Sequence, residues 1–424
     1  MRLAYRILTY LAAPFAFAYF LWRSRREPAY RRDWAQRLGY PPPTVPRGAV
    51  WVHAASIGEV QAIAPVLDDL LNHPESPPLL VTTMTPAGRE RLRERFGERV
   101  HHSYLPLDLP GAVRRFLVRT QPQLGMMVEM ELWPELLDQA RDQGVTMTLV
   151  NARLSARTAR GYERVAGLFS RALASFDWIA AQTQADADRL VALGTPGERI
   201  EITGNLKFDQ PVTADQVREG ERLRDALGPE RAIWAAASTR EGEEAIALAA
   251  HAHVRTVMPD AALVLVPRHP QRFQAVAQLI REAGWPMDQR SADAPSSATA
   301  VFLGDSMGEM GVYIAAADVV FMGGSLVELG GQNLLEPAAL ERPVITGPSR
   351  FNFAAVAELL EQAGALTTVQ NADELGVAVM RLLLDRNERQ RMADAALACV
   401  RANQGARQAI VERLSGRLNT NRCV

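Results

Sequence analysis

Two sets of residues along the chain have the types and spacing to do chemistry. The first is a set of carboxylates, Glu59, Glu129 and Glu131, in "HAASIGE" (53–59) and "EMELWP" (129–134), with no metal-binding histidine spacing around them. A carboxylate placed after a buried strand can take the proton of a sugar hydroxyl as that hydroxyl attacks, provided it lies within hydrogen-bond reach. Glu59 has a competing reading, because Ser56-x-x-Glu59 also matches a capping box, in which serine and glutamate satisfy orphan amides at a helix start. The two readings pull against each other. A helix N-terminus stabilises the charged carboxylate and weakens it as a base, unless burial raises its pKa. Glu131, ahead of Trp133-Pro134, can equally be a turn-holding residue.

The second set lies in the second half of the chain and suits a phosphorylated nucleoside. "GGSLVELGGQNLLEP" (323–337) carries Gly323, Gly324, Gly330 and Gly331, whose amides can approach an anion closely. It lacks the lysine and serine or threonine of a P-loop, which argues against a nucleoside triphosphatase. Asn333-x-x-Glu336 precedes Pro337, and a proline favours the first helical position, so Glu336 is expected as the helix cap, placed to accept from a ribose diol. Arg268 and His269, held between two prolines after "LVLV", form a stiff cationic loop suited to phosphate. Ser238 can cap a helix or bind phosphate, and the acidic "EGEE" after it complements a helix dipole. Met307, Gly308 and Glu309 are candidates to line a base pocket.

These residues need elements to hold them at one edge. Apolar runs alternate with amphipathic stretches, the pattern of parallel strands joined by crossover helices. Strands are expected at 50–54, 79–83, 123–129, 147–151 and 178–182, and again at 232–237, 261–266, 300–303, 319–322 and 343–346. The polar "FDQPVTADQ" (208–216) reads as a hinge. Two doubly wound α/β domains, 27–210 and 211–424, would then face each other across a cleft with their loops beyond the strand carboxyl ends. The last helix of the second is a candidate to pack back on the first.

Residues 3–22 differ from the rest of the chain: they are almost wholly apolar, interrupted by Arg6 and Pro14, and the next ten residues bring five arginines, ending at Arg32. This length is borderline for crossing a bilayer and ample for lying in its interface. The arginines oppose export and place the remainder of the protein in the cytoplasm, so 1–26 is expected to be an uncleaved membrane anchor. A net charge of -1 argues against a general nucleic-acid binder. Among 47 cationic residues only Lys207 is a lysine, which singles it out. Cys399 and Cys423 have neither metal nor redox spacing. The helix pattern at 88–99 alternates charge signs as a solvated face does, and its arginines, with Arg153 and Arg157, can also meet an anionic acceptor.

Taken in order, "HAASIGE", "TTMTP" (82–86), "ELWP", "NARLS" (151–155), "GNLKFD" (204–209), "PRHPQRF", "GDSMGE" and the glycine-rich segment resemble the 3-deoxy-D-manno-octulosonic acid (Kdo) transferases of Gram-negative bacteria over nearly the whole chain. The resemblance implies a GT-B glycosyltransferase of two Rossmann-like domains. It would move Kdo with inversion from CMP-Kdo to the lipid A precursor lipid IVA in lipopolysaccharide synthesis, at the cytoplasmic face of the inner membrane. It implies Glu59 as general base, with Glu131 and Lys207 beside it. Ser238, Arg268, His269, Met307, Gly308, Glu309, Gly324, Asn333 and Glu336 would lie on the donor side, and Ser56, Gly58, Thr85 and Arg153 on the acceptor side. No metal or other cofactor is implied, since a leaving group with one phosphate needs no diphosphate-chelating ion. Met130 and Arg240 depart from the family pattern, in which threonine and histidine are common there. The fold alone leaves open a UDP-sugar or ADP-heptose donor, or a membrane-tethered scaffold that does not catalyse.

Overall fold

Each of two sheets consists of seven parallel strands. The computed structural model describes residues 2–73, 77–163, 165–209, 212–292 and 295–420. Cys423 and the middle of the expected hinge, Gln210 and Pro211, lie outside the described residues. The first sheet contains β1 (Val50–His53), β2 (Leu79–Thr83), β3 (His101–Tyr104), β4 (Leu124–Val128), β5 (Thr146–Ala152), β6 (Trp178–Ala181) and β7 (Ile200–Ile202), in the order β3-β2-β1-β4-β5-β6-β7. The second contains β8 (Ile233–Thr239), β9 (Ala262–Pro267), β10 (Met287–Gln289), β11 (Val301–Leu303), β12 (Val319–Met322), β13 (Val344–Thr346) and β14 (Leu366–Thr368), in the order β10-β11-β9-β8-β12-β13-β14.

Both sheets are covered on both faces, which is why their central strands read as unbroken apolar runs. In β1, Val50 and Val52 pack into one cluster with Ile63 and Leu67, while Trp51 packs into the other with Phe116 and Met147. Chain order reverses beside the first strand of each sheet, between β1 and β4 and again between β8 and β12. Loops diverge at these switch points, and the carboxyl ends of the flanking strands leave a crevice there.

The structure divides into Met1–Gln210 with Gln404–Val424, and Pro211–Asn403. The second unit therefore stops short of the expected residue 424. The helix Ala406–Thr420 places Ala406, Ile410 and Leu414 in the core of the first unit, each fully buried. Burying each of the two larger side chains is worth about 1.5–3 kcal/mol. Arg407 fixes the docking with bonds of 2.6 and 2.5 Å to Asp69, and the Asp209 carboxylate accepts from the Gly405 and Arg407 amides at 2.8 Å each.

The helix Arg2–Arg23 lies against the first unit along one side and leaves the other open. Its Arg6 pairs with Glu135, and its Phe17 and Phe20 meet Trp34 and Tyr30.

Candidate active site

Glu59 sits in the first turn of the helix Ile57–Asn72, directly after β1. Ser56 is the N-cap: its hydroxyl donates to Glu59 Oε1 at 3.0 Å and accepts weakly from the Glu59 amide at 3.5 Å. The second carboxylate oxygen does not bond the Ser56 amide, as a capping box requires, but reaches one residue further back to Ala55 N–H. Glu59 thus braces the strand-to-helix turn and remains a candidate base. At 9% exposure, burial pushes its carboxyl up to about 7, the nearby charges of Glu131 and Glu129 add to this, and the Ala55 amide and Ser56 hydroxyl oppose it. The competition between dipole and burial is won by burial.

Glu131 follows β4 on the other side of the switch point, where Trp133 Nε1 donates to its Oε2 at 3.0 Å and the buried His53 Nε2 stands 3.8 Å away. Burial raises the Glu131 carboxyl, but His53 and Trp133 outweigh it and hold the group below the ordinary carboxylate range. The site therefore carries two carboxyl groups with separated affinities for a proton, the pattern expected where one stays charged and the other exchanges a proton near neutrality. His53 gave no sequence signal, because a histidine closing an apolar run reads as part of the strand; its Nδ1 faces the Thr82 carbonyl and hydroxyl at 3.1 and 3.0 Å.

The acceptor-side candidates divide. Thr85 caps the helix Pro86–Phe96, accepting from Gly88 N at 3.1 Å and donating to the Ala55 carbonyl at 3.4 Å. Thr85 and Ser56 thus hold the Glu59 turn instead of offering free hydroxyls. Gly58 is exposed on the first turn of the Glu59 helix. Arg153 is exposed and Lys207 partly buried, and among the described residues neither side chain has a partner. The Lys207 segment is hung from β5, where Asn151 Oδ1 accepts from Leu206 N at 3.0 Å. Two arginines of the helix after Thr85 are tied to distant aspartates, Arg89 to Asp33 and Arg95 to Asp68.

Backbone strain marks the strand ends. Glu129, Asn151 and Ser238, after β4, within β5 and within β8, have φ of 60°, 56° and 56°. Non-glycine residues rarely adopt this region, and such positions cluster at functional sites. Residue type alone gives no hint of it.

In the second unit the glycine-rich loop differs from expectation. Its amides already hold an anion, the fully buried Glu243 carboxylate, which accepts from Gly324 N at 2.6 Å and from Ser325 N and Leu326 N at 2.9 Å each, and from Arg240 N at 2.9 Å. Gly324 is therefore a shaping residue whose amide is engaged, and the first glutamate at the start of the helix Glu243–Val257 holds a loop as well as complementing a dipole. Gly323 must be glycine, because a Cβ there would meet Ser238 O and Thr239 Cα at 2.7 Å.

Around that loop stand the cations. Arg268 is exposed, with Nε donating to Gln332 Oε1 at 3.2 Å, and Arg240 contacts the His269 ring. Partial burial, and then Arg240, Arg268 and Arg272, hold the His269 imidazole below its usual range. Ser238, 6% exposed, has no hydrogen bond from its hydroxyl within the described residues. Gln332 went unnoticed in the sequence because its partner lies 64 residues away.

Glu336 is not the expected cap. The helix runs Leu335–Ala339, so Glu336 and Pro337 fall inside its first turn, where proline's missing N–H leaves no bond unmade. Asn333, which the sequence pattern disfavoured as a capping group, accepts from Leu335 N at 3.2 Å and donates to Glu336 Oε1 at 3.2 Å. Burial raises the Glu336 carboxyl, opposed by Asn333 and by the Arg268 charge. Glu309 does not line a pocket with a free carboxylate: Arg290 holds it through bonds of 2.7 and 3.1 Å, and Ser306 also bonds it. Its pairing with Arg290 depresses its pKa. Gly308 has φ 82° and its carbonyl accepts from Gln216 Nε2 at 3.1 Å, while Met307 is 56% exposed and fills no core gap.

Comparison with known proteins bears on both units. Residues 32–210 match the family model described as 3-deoxy-D-manno-octulosonic-acid transferase (kdotransferase), and residues 288–398 match that of glycosyl transferases group 1. The chain is 38% identical over 428 residues to the 3-deoxy-D-manno-octulosonic acid transferase of Haemophilus influenzae, covering 99% of each chain. It is 40% identical over 391 residues to the enzyme of the same name from Bordetella pertussis, covering 89% of each. Among solved structures, UDP-GlcNAc 2-epimerase from Neisseria meningitidis matches with a TM-score of 0.58 at 14% identity, over 87% of this chain and 100% of that one, a likeness of GT-B-like fold.

Proposed function

The chain belongs to the 3-deoxy-D-manno-octulosonic-acid transferase family, and on that premise we propose that it transfers Kdo from CMP-Kdo to lipid IVA in lipopolysaccharide synthesis, with Glu59 as general base. The observation that carries the reading is the Glu59 carboxyl at about 7, on a turn braced by Ser56 and Thr85 at the switch point of the first sheet. A lipid-borne hydroxyl donates its proton to Glu59 as its oxygen attacks the anomeric carbon of Kdo. The new carbon–oxygen bond forms on the face opposite the departing CMP, and the bond to the phosphate oxygen breaks. Burial keeps Glu59 avid for that proton, and the charge of Glu131, held ionised by His53 and Trp133, adds to it. Lys207 and Arg153, both unpaired among the described residues, serve the anionic groups of the substrates.

The second unit holds the donor. Arg268 and Arg240 take up the charge that develops on the leaving phosphate, so the step needs no metal. Glu336, aligned by Asn333, accepts from the ribose hydroxyls. The helix Arg2–Arg23 keeps the enzyme at the cytoplasmic face of the inner membrane, where its acceptor resides.

Purified protein given CMP-Kdo and lipid IVA should yield product heavier by one or more octulosonate residues, read by mass spectrometry. CMP should raise the melting temperature more than UDP does; stabilisation by UDP without CMP would reject this donor. Glu336→Gln should raise KM for CMP-Kdo about 10-fold or more with kcat changed less than about threefold, because a hydrogen bond to a charged acceptor is worth about 1.5–3 kcal/mol. Steady-state kinetics with varied donor checks this.

A further inference from the structure

The helix Arg2–Arg23 is joined to the Glu131 loop by a polar cluster that an anchor alone does not need. Arg6 grips the buried Glu135 carboxylate with two bonds of 2.8 Å, Nε to Oε2 and Nη2 to Oε1. Arg2 Nε stands 3.2 Å from Asp138 Oδ2. Tyr5 donates to Asp108 Oδ2 at 2.6 Å, and Asp108, itself 6% exposed, accepts from Glu135 N at 3.0 Å and Leu136 N at 2.8 Å. Those two amides belong to the first turn of the helix Pro134–Asp142, whose own N-cap, Trp133, supplies no capping bond. Orphan amides at a helix start need such a partner. Here a distant aspartate provides it, and the N-terminal helix holds that aspartate. Glu131 and Glu135 flank the short Leu132-Trp133-Pro134 turn, so the anchored helix start holds one end of the turn whose other end is Glu131, bonded to Trp133 and 3.8 Å from His53.

The opposite side of the same helix is bare. Leu3, Leu8, Leu11, Phe15 and Trp22 are 71%, 63%, 63%, 76% and 57% exposed, and only 6% of the apolar window is buried. Arg25, Arg26 and Arg32, just past its end, are exposed without partners among the described residues, and suit anionic headgroups. Contacts tie the helix down at both ends: Arg2 and Arg6 at one, and Phe17 against Trp34 at 5.1 Å with Phe20 under Arg37 at 4.3 Å at the other. A helix of 22 residues is about 33 Å long, close to the thickness of the hydrocarbon layer. To cross that layer it would have to leave one set of contacts or both.

We propose that this helix lies flat on an anionic lipid surface and forms part of the catalytic unit, with Arg6 and Tyr5 acting as positioning residues for the Glu131 loop. The proposal rests on the reading of Glu59 as the base that Glu131 tunes. Arg6→Gln and the milder Tyr5→Phe test it in the full chain. Solubilised in detergent micelles, each variant should show at least tenfold faster amide exchange at Glu135 and Leu136. Arg6→Gln should have kcat lowered about tenfold with KM for CMP-Kdo within about twofold, and the acid limb of its pH profile should move to lower pH, because Glu131 no longer adds its charge at Glu59. Arg6→Glu combined with Glu135→Arg should restore exchange and kcat together. Partitioning of Arg6→Gln onto vesicles of phosphatidylglycerol and phosphatidylcholine should stay within about twofold, and alkaline carbonate should release the unmodified protein from them. Wild-type exchange and kcat in both single variants, no recovery on charge reversal, or retention on vesicles after carbonate would each overturn the proposal. The exchange measurement needs no substrate, so an unmodified enzyme that transfers no octulosonate would count against the proposed reaction and leave the coupling standing.

Discussion

Glu59→Gln is expected to fold, to bind CMP, and to turn over about 10²–10⁴-fold more slowly than the unmodified enzyme, the range lost when a positioned base is removed. In the unmodified enzyme kcat should fall about tenfold per pH unit below about 7, as the carboxyl takes up the proton it must lack to act, and this limb should vanish in the variant. Stability should move the other way. The folded pKa of Glu59 lies above its ordinary 4.5, so the folded state holds the proton more tightly than the unfolded chain. The resulting stabilisation is fully present below about 4.5 and is lost as pH rises through about 7. A permanently neutral glutamine keeps it, so at pH 8 the variant should match or exceed the unmodified protein by about 1–3 kcal/mol. A residue that only capped its helix would show the reverse, full turnover with a loss of about 1 kcal/mol. Rapid-quench kinetics and thermal unfolding across pH separate the two.

Glu243→Ala should destabilise the second unit strongly. It removes the acceptor of four amides, those of Arg240, Gly324, Ser325 and Leu326, in a loop closed to water at Glu243. Each stranded donor costs about 1–3 kcal/mol, reduced where water enters, so the total is on the order of 3–5 kcal/mol. Denaturant unfolding measures it, and CMP binding should weaken in parallel, since the loop adjoins Gln332 and through it Arg268. A glutamate that merely complemented the helix dipole would cost no more than about 1 kcal/mol.

The same contrast shows what the amino-acid text reveals. Every strand expected from apolar runs exists, within about two residues at each end, because a strand buried on both faces leaves no polar gap. The four that escaped, β3, β7, β10 and β14, are the four sheet edges. Each is short, and three of them contain no buried residue; β7 carries the exposed Glu201 and Ile202 within its three residues, and β3 is buried only at Ser103 and Tyr104. Their pairing is decided by the neighbouring strand and not by their own composition. At the site, the polar strand ends were legible because few such residues interrupt so apolar a pattern, which brought Glu59, Glu131, Arg268, Asn333 and Glu336 into view. Contacts between distant segments were not legible: Glu243 meets Ser325 across 82 residues, and nothing in "EGEE" says which glutamate turns inward. The capping choice at Glu336 failed for a local reason, since proline is tolerated throughout the first turn and not only at its first position.

Docking of the N-terminal helix also sets how the protein can be handled. Recombinant trimming, the usual remedy for an apolar leader, would strip Arg2, Tyr5 and Arg6 from Glu135, Asp138 and Asp108 and leave the Glu135 carboxylate with neither arginine beside it. Both arginines are about a third exposed, so the loss is smaller than the ~3–5 kcal/mol of a fully buried pair, yet still a sizeable part of a domain's reserve. A truncated chain would thus trade one solubility problem for another, and detergent around the intact leader is the safer route to a homogeneous sample.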